Sequence, residues 1–179
     1  MKSWILLICT LCVLNTYAFE IRSNDMHEGK PLAPEQVLNG FGCNGKNVSP
    51  HVAWRNPPQG TRSFAITLFD QDAPTGSGWW HWTVFNITAK EDSLSKNAGA
   101  TQGNLLPKGA IQGRTDFGKP GFGGVCPPVG DKPHRYQLTV WALDIEKLPL
   151  DDQASGALVG FMLNAHSLGQ ARLTAIHGR

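Results

Sequence analysis

Cysteine is scarce, charge is sparse and nearly balanced, and no apolar stretch is long enough to cross a bilayer. The chain has 179 residues with four cysteines, 17% charged residues, and 16 basic against 14 acidic side chains. A near-neutral surface gives no bulk electrostatic reason to bind nucleic acid or an anionic membrane. The longest apolar run, Trp4 to Leu14, falls short of the roughly 20 residues that a spanning helix needs, so the chain does not read as an integral membrane protein. No repeat, charge block, low-complexity tract or linker divides it. What is left is one globular domain with a real core, 41% of the chain being hydrophobic.

The apolar run follows Lys2 and precedes Thr16-Tyr17-Ala18, the layout of a secretory leader over residues 1–18 with the domain at 19–179. The alternative is a buried first strand or helix. Cys9 and Cys12 leave with the leader, so Cys43 and Cys126 remain. An even pair in an exported protein, periplasmic or secreted, is expected to form a disulfide; the alternative is two buried thiols. Closing a loop of about eighty residues stabilises a fold by about 4 kcal/mol in the chain-entropy model.

What is abundant is glycine (20) and proline (12), set as punctuation between short apolar runs, which predicts a mainly β domain with functional loops. The clearest strands are 63–69, 82–87 and 135–143, the last with Tyr136, Leu138, Val140 and Ala142 on one face. Weaker candidates are 19–23, 52–54 and 171–176. Leu158, Phe161, Met162 and Ala165 recur at helical spacing, predicting a short helix capped by Ser155, ending near Gly169, with that stripe in the core.

Two stretches carry the chemistry: DQDAPTGSGWWHW at 70–82 and GRTDFGKPGFGGVCPPVGDKPHRY at 113–136. Asp70 closes one strand. Alternation places Trp80 and Trp82 on one face of the next strand and His81 on the other, beside Trp79. A histidine near a carboxylate can hold its proton near neutral pH and donate to an anion. In the second stretch, glycines allow close backbone approach and consecutive N–H groups can form an anion-binding concavity. If the strands adjoin, His81, His134 and Tyr136 converge on the loop 123–128. Arg135 points away by alternation and has a structural role, pairing with Asp72 or another carboxylate.

These stretches resemble the hallmarks of the phosphatidylethanolamine-binding protein (PEBP) family, also called Raf-kinase-inhibitor-like proteins: DPDAP…WxHW and GPxPPxGxHRY. The GRTDFG element and the two-cysteine layout look like its bacterial YbhB/YbcL-type branch. The resemblance implies a single-domain β-sandwich of two antiparallel sheets with a few short peripheral helices. It also implies a small pocket for phosphate, phosphorylethanolamine or a similar phosphorylated headgroup. Matched position by position, the pocket residues are Asp70, Pro74, Trp79, His81, Pro128, His134 and Tyr136. Gln71 stands where the family has proline, and Cys126 where several relatives have glycine; that cysteine would tether the pocket loop to Gly42-Cys43-Asn44. No cofactor and no metal is implied.

Other chemistries fit less well. A hydrolase triad of Ser77, His81 and Asp70 lacks a nucleophile elbow, so an enzyme is not expected. A metal site from Asp70, Asp72, His81 and His134 lacks the close paired spacing of zinc motifs. A nucleotide-sugar transferase would need a parallel-sheet pattern. The rival from another class is an inhibitor acting through its surface on a protease or kinase partner. A homodimer is left open, and sequons at Asn47 and Asn86 matter only in a eukaryotic secretory pathway.

Overall fold

The computed structural model describes residues 17–102 and 105–179. All but the last two residues of the expected leader therefore lie outside the described part. Among the described residues are ten strands, one α-helix and a 3-10 turn at Pro34–Gln36. The strands are β1 (Glu20–Arg22), β2 (Asn39–Gly40), β3 (Cys43–Asn44), β4 (Val52–Arg55), β5 (Ser63–Asp70), β6 (Trp79–Thr88), β7 (Ser93–Leu94), β8 (Ile111–Gln112), β9 (His134–Leu143) and β10 (Ser167–His177). The helix α1 is Gly156–His166. All six expected strands are present, several extended by a few residues, because ladder pairing carries them beyond the apolar pattern.

Five strands form an antiparallel sheet in the order β10-β9-β5-β6-β8, and β1-β4-β7 form a second. Burial follows from the period of two along β9. Tyr136, Leu138, Val140 and Ala142 face a core shared with Trp54 and Leu94 of the second sheet. Trp141 and Leu143 face a smaller core under α1. The result is the expected mainly β sandwich of antiparallel sheets, with one helix covering the outer face of the larger sheet.

Ser155 caps α1, its hydroxyl accepting from Leu158 N at 3.2 Å. The buried stripe of α1 differs from the one the spacing suggested. Val159, Gly160 and Leu163 are buried and Met162 of the expected stripe is half-buried against them, whereas Leu158 is 45% and Phe161 70% exposed. The cause is Trp80. A Cβ at Gly156 would lie 2.2 Å from its ring, and one at Gly160 3.2 Å. The two glycines, four apart on one helix face, form the groove that seats the indole, so the small residues rather than the large ones mark the core side. The helix stops at His166 because Ser167 already pairs with Leu143 as the start of β10.

Cys43 and Cys126 are joined by a disulfide with Cα atoms 6.0 Å apart. It ties the β2–β3 hairpin to the segment following Val125. Both sequon asparagines have structural work. Asn47 holds Gly124 N and Phe122 O through its side chain, and the buried Asn86 pairs with Leu148.

Candidate functional site

Three neighbouring strand ends build the floor of a pocket. In the ladder Asp70 stands opposite Tyr136 on β9 and opposite Trp79 on β6. Asp70 is 3% exposed, and its two oxygens have fixed partners. Asp72 N–H donates to Oδ1 at 2.9 Å, and His134 Nδ1 donates to Oδ2 at 2.8 Å. The turn that brings Asp72 back needs glycine at 78, where φ is +71° and a Cβ would meet the Phe69 ring at 2.3 Å.

His81 reaches the pocket through a β-bulge. Leu68 pairs with Trp82 and Phe69 with Trp80, leaving His81 as the extra residue. A bulge inserts one side chain out of step and re-aims it. Trp80 therefore faces α1, while Trp82 faces the opposite core. The sequence expectation that Trp80 and Trp82 share a face is thus corrected, since simple alternation cannot anticipate the inserted residue. The displaced His81 ring lies edge-on to Tyr136 at 5.3 Å and to Phe117 at 5.5 Å.

A second correction concerns the charge of His81. Its Nδ1 donates to Gly123 O at 2.8 Å, and the carboxylate expected beside it is taken by His134. Burial pushes the His81 pKa below its ordinary 6.5 and outweighs the upward pull of the Gly123 carbonyl and Asp70. The ring is held neutral rather than protonated.

The loop 123–128 also differs from expectation. Gly123 N donates to His81 O, Gly124 N to Asn47 Oδ1 and Val125 N to Gln36 O, so these three amides build the fold, and Cys126, which lines the pocket ahead of the two prolines, is left as the loop's one candidate backbone donor. The glycines serve close packing: a Cβ at Gly123 would lie 2.2 Å from the Phe117 ring, and one at Gly124 2.5 Å from Leu38 N.

The pocket has a volume of about 370 Å³ and contains all seven expected residues: Asp70, Pro74, Trp79, His81, Pro128, His134 and Tyr136. Ser77 is exposed in the turn and does not line it. Among the described residues the Tyr136 hydroxyl and the Trp79 indole N–H are buried without a hydrogen-bond partner. Burial first, then the neighbouring Asp70 carboxylate, drive the Tyr136 pKa far above its ordinary value. The phenol is therefore a neutral donor at any working pH. No group of three or more His, Cys, Asp or Glu among the described residues is placed to hold a metal ion.

Several residues of the walls were not anticipated, Arg179 and Phe41 among them. Arg179 adds a cation at the rim, with Nε donating to Pro127 O at 2.5 Å. No local pattern marks it, since the contact spans 52 residues. Phe41 is 75% exposed, stacks on Phe117 at 6.0 Å and has φ +49°. A bulky residue in the left-handed region is strained and survives where its surroundings fix it, often at a binding site. A larger groove of about 500 Å³ runs along the far side of the Phe41–Phe117 pair. It lacks the buried, unpartnered donors of the smaller pocket.

Arg135 and Asp72 form the support beneath. Arg135 donates to Asp72 through Nε at 2.8 Å and Nη2 at 2.6 Å, and its backbone N–H donates to Oδ2 at 2.8 Å. Those hydrogen bonds hold the Asp72 pKa at about 2, against an ordinary 3.8. A depressed carboxylate contributes stability above its unfolded pKa and loses it as pH falls through the folded one. The melting-temperature gap between wild type and Asp72→Asn should accordingly be full above pH 4 and close between pH 4 and about 2. A gap unchanged over that window would mean the pair contributes nothing through its charge.

Fold and pocket together define a small β-sandwich module with a cavity at the ends of its central strands. The family model for phosphatidylethanolamine-binding protein matches residues 22–177, and the chain belongs to that family. It is 55% identical to UPF0098 protein YbcL of Escherichia coli (strain K12) over 160 residues, 89% of this chain and 87% of that protein. It is 50% identical to UPF0098 protein YbhB of the same organism over 154 residues, 86% and 96% of the two chains. The crystal structure of E. coli YbcL, described as a new member of the mammalian PEBP family, superposes with a TM-score of 0.89 at 54% identity. It covers 90% of this chain and 98% of that one.

Proposed function

We propose that the protein is an exported binding module whose pocket takes phosphate, phosphorylethanolamine or another small phosphorylated headgroup, and that it has no catalytic turnover. The observation that carries this reading is the buried Tyr136 hydroxyl, without a partner among the described residues, at the floor of a pocket it shares with Trp79, His81 and His134. A buried polar group normally has its hydrogen bond made, and a phosphoryl oxygen is an acceptor of the right size. Export is supported by the leader-like N-terminal sequence and by the Cys43–Cys126 disulfide, a bond that persists in oxidising compartments. The absence of turnover is supported by Ser77 standing outside the pocket and by Asp70 being saturated by Asp72 and His134.

Calorimetric or NMR titration of phosphorylethanolamine into wild type, His81→Ala, His134→Ala and His166→Ala tests the proposal. His166 pairs with Asp144 on the surface and serves as the control. A hydrogen bond to a charged group contributes about 1.5–3 kcal/mol, so either pocket substitution should weaken binding about tenfold or more. Equal affinity in all four proteins would place the ligand elsewhere. A protease or kinase inhibitor acting only through its surface would keep its potency in both pocket variants.

A further inference from the structure

We propose that the pocket takes its phosphoryl group as the singly protonated monoester, the ligand's P–OH donating to Nε2 of His81, and so prefers phosphomonoesters to phosphodiesters and sulfate. This rests on the reading of the cavity as a phosphoryl pocket and adds which protonation state and which ester class it accepts.

The argument starts from one hydrogen bond. A backbone carbonyl only accepts, so the 2.8 Å contact between Gly123 O and His81 Nδ1 requires the hydrogen to be on Nδ1. A neutral imidazole has a single N–H, which leaves Nε2 with a lone pair. Among the described residues Nε2 has no hydrogen-bond partner, while the ring lines the cavity. A second proton on the ring would create a cation that is 4% exposed between the Phe117 and Tyr136 rings. That is the environment in which burial disfavours the charged form.

The charged and titratable groups around the ring complete the case. Asp70 approaches from β5 and Asp116 from the segment before Phe117, both carboxylates. Tyr136 and, stacked behind it at 6.3 Å, His134 approach from β9. Arg179 stands at the rim. The Asp70 oxygens being taken, the pocket presents one acceptor, Nε2, and two unpartnered donors, Tyr136 Oη and Trp79 Nε1. A fully ionised phosphate would set an oxygen lone pair against the lone pair of Nε2. A phosphate that retains one proton satisfies both sides: its hydroxyl donates to Nε2, and its remaining oxygens accept from Tyr136 and Trp79. Dimethyl phosphate and sulfate carry no such proton near neutral pH.

The test uses methyl phosphate, dimethyl phosphate and sulfate, titrated into the disulfide-intact protein between pH 5.5 and 8. Methyl phosphate carries no ammonium that could donate to His81 in place of the P–OH. Its second ionisation lies near pH 6, so its apparent affinity should fall close to tenfold per pH unit above about 6.5. Calorimetry at pH 8 in buffers of different ionisation heat should show nearly one proton taken up per ligand. Dimethyl phosphate and sulfate should bind at least tenfold more weakly at pH 7. The 15N shifts of His81 in the methyl phosphate complex should be those of a neutral ring protonated at Nδ1. Equal binding of all three probes, or an imidazolium signature at His81, would overturn the inference and leave the phosphoryl pocket standing. Failure of methyl phosphate to bind at any pH would overturn both.

Discussion

Reduction of the Cys43–Cys126 disulfide is expected to lower the melting temperature by about 10 °C. The bond closes a loop with a sequence separation of 83. Denying that loop to the unfolded chain contributes about 4 kcal/mol, and a domain of this size shifts by roughly 2–4 °C per kcal/mol. The consequence extends to the pocket. Phe41 sits in the turn between β2 and β3, and Cys126 precedes two prolines that also line the pocket. The disulfide therefore ties together two segments that line the cavity, and the loss of fit should appear as weaker binding at temperatures where the protein is still folded. Mass spectrometry of the non-reduced protein should show both thiols missing, and the Cys43→Ser/Cys126→Ser double variant should melt like the reduced wild type. Two alkylatable cysteines in freshly isolated protein, or a melting temperature unmoved by reductant, would refute the account.

The elements most legible in the sequence were those with a local physical signal. Alternation along residues 135–143 gives the two faces of β9, and Ser155 ahead of an apolar repeat gives the start of α1. Asp70, His81, His134 and Tyr136 were legible because two motifs place ionisable side chains at strand ends, where the backbone is fixed and the side chain leaves the core; Pro74, Trp79 and Pro128 came from the family resemblance. Three features were not legible, each for a definite reason. The bulge at His81 is set by the register between β5 and β6, so the strand sequence alone puts Trp80 and Trp82 on the same face. The buried stripe of α1 is marked by Gly156 and Gly160, whose importance appears only once Trp80 is placed against them. Arg179 enters the rim through a contact 52 residues away from its partner.

The charge of His81 belongs with these non-local features. The sequence places an aspartate at 70 and a histidine at 81 and suggests that they pair. In the folded chain Asp70 is claimed by His134 from the next strand, and Gly123 supplies His81 with a carbonyl instead. The partner of a buried titratable group decides whether it is a donor or an acceptor, and that partner is chosen by sheet order. One consequence is that a phosphoryl pocket here need not be a basic one. Arg179 is the lone lysine or arginine among its lining residues, so a bound phosphoryl group would be recognised by neutral donors and acceptors held in place.

Tyr136→Phe is expected to separate stability from binding with effects of opposite sign. The Tyr136 ring is fully buried, packed against His81 and His134 in the core that also holds Leu138. Phenylalanine keeps that packing and removes only the hydroxyl, which has no hydrogen-bond partner among the described residues. A buried polar atom left unsatisfied costs about 1–3 kcal/mol. The ligand-free variant should consequently melt at or up to a few degrees above wild type, at roughly 2–4 °C per kcal/mol. Binding should move the other way. Losing one donor to a phosphoryl oxygen weakens affinity about tenfold to a hundredfold. Because burial and Asp70 hold the phenol in its protonated form, the deficit should be the same at pH 6 and pH 8. Thermal melts with and without methyl phosphate measure both effects in one experiment. In wild type the ligand stabilises the fold by RT ln(1 + [L]/Kd) and so raises the melting temperature; in Tyr136→Phe the baseline should be equal or higher and the ligand-induced rise much smaller at the same ligand concentration. A variant that melts well below wild type yet keeps the full ligand-induced rise would show that the hydroxyl serves the fold and that the phosphoryl group is held without it.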